Sequence, residues 1–134
     1  MEREHVIAGI LQQLCAGYGC EIELYGKVRD LARRQTRLLR AGANGLAVLQ
    51  LSSEKEQFLE NIGDIDEALA PARTIVTHEH DLIADGLMDG LHAVLDQLDA
   101  VIDEIRALEW ESYGLVTRQT QAERRRPAAA SLPN

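Results

Sequence analysis

The densest group of chemically reactive side chains in the sequence is His78–Asp81, which holds two histidines and two acids. A zinc site of the H-E-x-x-H kind needs two imidazoles on one helical face, and His78 and His80 are too close in sequence for that. Glu2 and His5 have the E-x-x-H spacing of di-iron bundles, but such a site needs a second pair and two further glutamates. We therefore predict a polar loop at His78–Asp81, a frayed terminus at Glu2, and no metal or cofactor.

Other candidate catalytic groups lack the context that their chemistry needs. His92 lies well inside a predicted helix, as the phosphorylated histidine of a helical phosphotransfer domain does, but Ala-Val-Leu-Asp follows it where such domains usually have lysine and glycine. The sequence has no glycine-rich phosphate loop. Cys15 and Cys20 have neither a redox nor a zinc spacing, so we expect two small buried thiols. These residues together predict that the chain is not an enzyme.

Charge excludes some classes of partner. The net charge is −8 over 134 residues, which argues against nucleic-acid binding because phosphate contacts need a basic surface. Lys27–Arg40 holds six basic residues and one acidic residue, whereas Ser53–Glu111 holds sixteen acidic and three basic residues. We expect these helix faces to pair with one another. Neither a signal peptide nor an apolar run of about 18 residues is present, which predicts a cytoplasmic protein with no membrane insertion.

Three segments with apolar residues every three or four positions must carry the fold. Aromatic residues make up only 4% of the chain, and the apolar residues favour helix. We predict an all-α fold in which three long antiparallel helices form a coiled-coil-like bundle. Residues 1–123 form a single domain and residues 124–134 a disordered tail. The apolar seams begin at Ile7, Val48 and Ile83 and run to Leu39, Leu69 and Leu115.

Two breaks separate the helices. Ala41–Gly45 contains the glycines and asparagine that end helices, and Pro71 is expected to end the second helix and start a loop to His80. Ser53 and Glu56 fit a capping box, but Val48 keeps the phase of the seam, so we predict a start near Leu46. Lys55 interrupts that seam and either fixes its register or extends to water.

Glu23–Pro71 resembles the FlgN family of flagellar type III export chaperones. The resemblance lies in a helix that starts Leu24-Tyr25, a short glycine-containing break, and Glu54-Lys55-Glu56 followed by Phe58, Leu59, Ile62 and Ile65. With the third helix it covers roughly residues 5–122. Many members have asparagines near the end of that helix, where this chain has Glu109, Glu111 and Ser112. The resemblance implies a cytoplasmic chaperone that binds the C-terminal helical region of hook-filament junction proteins and keeps it unassembled and export-competent.

Helix lengths suggest where a partner binds. At about 1.5 Å per residue, a second helix of about 25 residues spans roughly 37 Å and a third of about 43 residues roughly 65 Å. Unless the loop from Pro71 to His80 runs back along the first helix, the third helix projects past the Gly42 turn. We expect its end, Glu104–Gln121, to lie uncovered. Trp110 lies about 200° around the helix from Leu108 and should be exposed. The predicted partner-binding residues are Leu108, Trp110, Tyr113, Leu115 and Val116.

Two kinds of partner fit such a surface. One is the amphipathic helix of another protein, such as a hook-associated protein, and the other is a second copy of the chain. In the second case the chain is a structural helical dimerisation module without a chaperone role.

Overall fold

The computed structural model describes residues 2–130, apart from the side chains at 85 and 126–130. It contains three long helices, α1 (Glu2–Arg40), α2 (Gly45–Glu79) and α3 (Asp85–Ala130), and a short 3-10 helix at His80–Leu82. The described residues form no strand, so the prediction of an all-α bundle of three long helices is confirmed. α3 runs past the expected domain end at residue 123. Residues 131–134 of the predicted disordered tail lie outside the described part.

Successive helices run antiparallel. The start of α1 meets the end of α2 through an ion pair between Arg3 and Glu79. The other end of α1 meets the start of α2, where the Gln35 side-chain amide donates to Ser52 Oγ at 2.7 Å. α1 and α3 consequently run parallel.

Charge pairing joins the basic half of α1 to α3. Arg33 Nη2 lies 3.0 Å from Glu104 Oε2, and Arg40 pairs with Glu111. The expectation that the oppositely charged faces pair with each other is met at these two arginines. Both pairs are solvent-accessible, so each contributes at most about 1 kcal/mol.

The α1–α2 reversal follows from glycine and asparagine chemistry. Gly42 has a φ of 72°, the left-handed conformation that ends helices. The Ala43 amide donates to the Leu38 carbonyl at 2.9 Å and the Gly42 amide to the Leu39 carbonyl at 3.1 Å, as in a Schellman motif. Asn44 then caps α2, because its side chain accepts a bond from the Ala47 amide. The predicted helix start near Leu46 is confirmed.

The prediction that Pro71 ends the second helix is wrong. α2 continues through Pro71 to Glu79, and most of the expected loop is helical. Proline removes one backbone hydrogen bond, at a cost of about 3 kcal/mol in a helix interior. Leu69, Ala72 and Val76 are buried around it, while Pro71 itself faces solvent. Burying an apolar side chain of this kind contributes about 1.5–3 kcal/mol, so this seam outweighs the proline.

The largest apolar cluster lies at the end of the bundle where α1 begins. It joins side chains from all three helices and from the α2–α3 connection. Gly17 takes part because the Leu69 side chain occupies the space that a Cβ atom would need, with Cδ1 only 2.6 Å from that position. The buried members are Ile7, Leu11, Leu14, Tyr18, Leu69, Ala72, Val76, Ile83, Met88, Leu91 and Leu98.

One carboxyl group is buried between α1 and α2. Glu21 is 3% exposed, and its Oε2 has no hydrogen-bond partner among the described residues. Burial raises the pKa of Glu21, the nearby Asp66 raises it as well and Arg73 lowers it, for a net rise from 4.5 to about 7. Arg73 is itself held by Asp66, with Nη1 2.8 Å from Oδ1. Glu21 therefore keeps its proton to a higher pH than an exposed carboxyl does.

Candidate functional site

α1 is the common neighbour of two helices that stay apart. α1 packs on both α2 and α3, whereas within residues 2–130 no Cα atom of α2 lies within 8 Å of one of α3. The apolar cluster that joins all three helices does not reach the α1–α2 turn. We call this surface the α2/α3 groove, bounded by Val48 and Leu59 on α2 and by Ile105 and Val116 on α3.

Two hollows make up the α2/α3 groove. Their volumes are about 280 and 350 Å³, and they share Ser52, Lys55 and Glu109, so they form one continuous depression. Residues of α1 line both and form the floor. These floor residues are Val28, Gln35 and Leu39.

A single stripe of α3 is covered at one end and open at the other. Leu91 and Leu98 on this stripe are buried in the apolar cluster. Farther along it, Ile105 is half-buried, and Glu109 and Val116 are exposed. The positions are seven, seven, four and seven residues apart, so they face the same direction on a helix. The face that is buried in the first half of α3 is therefore only partly covered in the second half.

Polar contacts hold the floor of the groove. The Gln35 amide of α1 donates to the Val48 carbonyl at 2.9 Å as well as to Ser52 Oγ. Next to it, Thr36 Oγ1 lies 2.9 Å from Ser112 Oγ of α3. Gln35 and Thr36 are both buried and both bonded, so the floor is polar without a desolvation penalty.

An ion pair crosses the groove. Lys55 of α2 is 8% exposed, and its ammonium donates to Glu109 Oε1 of α3 at 2.5 Å. Lys55 thus neither extends freely to water nor lies unbonded in the seam. Among the described residues this pair is the direct ion pair between α2 and α3. A buried ammonium needs such a partner, because an uncompensated buried charge costs several kcal/mol.

Two stacked aromatic rings form the outer rim of the groove. The ring centroids of Trp110 and Tyr113 are 5.9 Å apart with planes at 23°. Trp110 is 76% exposed and Tyr113 is 65% exposed, although each carries a large apolar surface. A hollow over these rings includes Glu109 and Ile105, which also line the groove, so rim and groove are continuous.

The structure brings three of the five predicted partner-binding residues together. Trp110 and Tyr113 form the rim, and Val116 lines the groove with 44% exposure. Leu108 and Leu115 are half-buried and do not line either hollow. By helical spacing they lie on the side of α3 that contacts α1.

The overhang argument behind those residues is wrong. α2 has 35 residues, about 52 Å, because it continues through Pro71. α3 stays beside the bundle well beyond residue 104, since the Gln119 amide donates to the Leu39 carbonyl at 3.2 Å. Glu123 still lies against the Gly42–Gly45 turn. Trp110 and Tyr113 are exposed because helical spacing turns them away from the side of α3 that contacts α1.

The other chemical groups singled out in the sequence do not converge. Within the described part of the chain, no three His, Cys, Asp or Glu side chains cluster in a way that would hold a metal ion. Cys15 is half-buried, but Cys20 is exposed, so the expectation of two buried thiols is wrong for Cys20. His92 is exposed on α3. No described helix has a stretch apolar enough to cross a bilayer.

Sequence reasoning missed the groove, although a signal for it was present. Each apolar seam is interrupted by a polar residue, Gln35 in α1, Lys55 in α2 and Ser112 in α3. All three line the same hollow in the structure. Interruptions that fall at one level of a bundle indicate a place where the core is not closed. Leu59, Ile105 and Glu109 also line the site, but no polar interruption of a seam marks Leu59 or Ile105.

Comparisons with known proteins do not identify the chain. No protein-family model, no curated protein and no solved structure matches it.

Proposed function

We propose that this chain binds an amphipathic helix of another protein in the α2/α3 groove. The observation that carries the proposal is the separation of α2 from α3 over a floor formed by α1. Helices pack about 8–10 Å apart, and a fourth helix between α2 and α3 completes a four-helix bundle. Such a helix covers the part of the α3 stripe that is exposed in the structure.

The dimensions of the groove suit a short helical segment. Ile105 and Val116 bound it on α3 and lie three turns apart, about 16 Å. A helix laid along this length contacts the groove through residues at i, i+3, i+4 and i+7. Leu59 and Val116 supply exposed apolar contacts on opposite walls, and Trp110 and Tyr113 extend the surface outward.

The resemblance to the FlgN family supplies the client. It supports a cytoplasmic export chaperone that holds the C-terminal helical region of a hook-filament junction protein, keeps it unassembled and delivers it for export. In this role the chain is not an enzyme and needs no cofactor, metal or nucleic acid. The structural support for this proposal is limited to the groove, whereas the flagellar client comes from the resemblance alone.

The alternative is a homodimer in which a second copy covers the same groove and the chain has no chaperone role. Light scattering of the protein with and without the C-terminal peptide of a hook-filament junction protein separates the two. A chaperone forms a mixed complex with the peptide. An obligate dimer keeps its mass and ignores the peptide, which would contradict the proposal.

A matched pair of variants locates the binding site. Val116→Ser and Leu87→Ser each remove an apolar side chain of α3 with nearly equal exposure, 44% and 46%. Val116 lines the groove, whereas Leu87 lies at the opposite end of α3. We expect Val116→Ser to weaken peptide binding several-fold by calorimetry with little change in melting temperature, and Leu87→Ser to leave binding nearly unchanged. Equal losses for the groove variant and for Leu87→Ser would place the binding site elsewhere.

A further inference from the structure

Charge on the walls of the groove restricts which helix can bind there. Glu56 lines the groove on α2, and Glu60, one turn further along the same helix, is also exposed. Among the side chains described at 2–84 and 86–125, neither of these two carboxylates forms an ion pair. On α3, the positive charge of Arg106 is offset by Asp103, with Nη1 3.6 Å from Oδ1. The α2 wall of the groove is therefore acidic.

Glu109 has unused bonding capacity at the centre of the groove. Its Oε1 accepts the bond from Lys55, while its side chain is 47% exposed and its Oε2 has no bond to another described side chain. A carboxylate can accept about four hydrogen bonds. A wholly apolar helix would strip water from this group and leave it with one partner, which is unfavourable. A basic side chain from the docked helix removes that penalty.

The aromatic rim provides the second half of a binding site for a cation. Trp110, Tyr113 and Glu109 line one hollow of about 510 Å³ together with Ile105 and with Arg106, whose guanidinium pairs with Asp103. Ring faces attract lysine and arginine side chains, and tryptophan does so most strongly. No described cation lies over either ring, since the one cation–π contact joins Lys27 and Phe58.

The same charges disfavour a second copy of the chain in the groove. A twofold dimer places identical surfaces against each other, so the acidic groove wall of one copy would meet the acidic groove wall of the other. Like charges placed opposite one another cost free energy and select against that partner. A basic partner would instead form favourable charge contacts with the same carboxylates.

We propose that the helix held in the α2/α3 groove carries Lys or Arg residues beside its apolar stripe, and that one of them sits between Glu109 and the Trp110–Tyr113 rings. This inference rests on the proposed function and adds the charge of the partner. It assigns Glu109 and Trp110 the role of selecting a basic helix rather than any apolar helix.

Three designed peptides test the inference. They share one leucine stripe of about three heptads and carry Lys, Gln or Glu at the flanking positions. Trp110 is the single tryptophan of the chain, so its fluorescence reports occupation of the rim directly. At about 0.05 M salt we expect the Lys peptide to bind about tenfold more tightly than the Gln peptide and the Glu peptide to bind least. The difference should vanish at about 1 M salt.

Protein variants assign the selectivity to Glu109. Glu109→Gln should weaken binding of the Lys peptide several-fold and leave the Gln peptide nearly unchanged. Asp89→Asn makes the same charge change at an exposed position near the start of α3 and should change neither. If Glu109→Gln proves unstable because Lys55 loses its partner, Glu56→Gln tests the negative charge of the groove without breaking that pair.

The outcomes separate a failure of the inference about charge from a failure of helix binding in the α2/α3 groove. If the Gln and Lys peptides bind equally at low salt, the inference is overturned while helix binding in the groove stands. If no peptide changes Trp110 fluorescence and none is detected by calorimetry, both the inference and groove binding are overturned.

Discussion

Replacing Glu21 with glutamine should make the protein more stable, and more so as the pH rises. Glu21 is buried between α1 and α2 with one oxygen lacking a described partner, and burial together with Asp66 raises its pKa from 4.5 to about 7. In the unfolded chain the carboxyl returns to its ordinary pKa. The folded protein therefore holds a proton that the unfolded chain releases at intermediate pH.

The size of the effect follows from the two pKa values. Between pH 4.5 and about 7 the folded state binds one more proton than the unfolded state, so the free energy of unfolding falls as pH rises. Each pH unit corresponds to about 1.4 kcal/mol, which gives about 3 kcal/mol over the whole interval. Glutamine cannot ionise and avoids this loss. Glu21→Gln should thus exceed the parent by up to about 3 kcal/mol above pH 7 and match it near pH 4.5.

Urea unfolding followed by far-ultraviolet circular dichroism measures this difference. The free energy of unfolding is extrapolated to water at intervals from about pH 4.5 to 8.5 for the parent and the variant. Glu23→Gln is the matched control, because it removes the same charge from an exposed position two residues away. Parallel pH curves for the parent and Glu21→Gln would refute the reasoning, since they would mean that Glu21 is not buried without a counter-charge.

Two further predictions concern the helix backbones. Gly17→Ala should lower the free energy of unfolding by about 1–3 kcal/mol, because the new Cβ would lie 2.6 Å from the buried Leu69 side chain. Gly19→Ala, with nothing within 4 Å, should raise it by up to about 1 kcal/mol, and denaturation curves with shifts of the same sign would contradict this packing. Pro71→Ala should raise the melting temperature, with a gain of up to about 3 kcal/mol, because it restores a hydrogen bond to the Glu67 carbonyl inside α2. No gain in a thermal melt would indicate that the backbone around Pro71 is not regular helix.

The helices were predictable because their signals are local. The seams of α1 and α3 follow from spacing alone, and the Gly42 turn and the Asn44 cap follow from the conformational preferences of those two residues. Pro71 misled the prediction because its cost is local, whereas the packing that outweighs it involves residues of α1 distant in sequence. Helix propensity does not include that packing energy, so it could not predict that packing would outweigh the cost of Pro71.

The candidate site was only partly predictable. Trp110 stood out because it lies off the apolar seam on a helix, and Tyr113 because it lies near the end of the third helix. Their relation to Leu59 and Lys55 of α2 depends on the distance between two helices, which no periodicity reports. Leu108 and Leu115 illustrate the converse, since their spacing matched the seam but gave no indication of which neighbour would cover them.

The central position of α1 has a consequence for how the chain tolerates substitution. Buried positions are nearly twice as numerous in α1 as in α2, eleven against six, because α1 is covered from two sides. A change in α1 disturbs two interfaces at once, whereas a change in α2 or α3 disturbs one. Sequence drift should therefore be slowest along α1 and fastest on the outer faces of α2 and α3. Relatives of this chain would then share their first helix most closely while their grooves diverge to suit different partners.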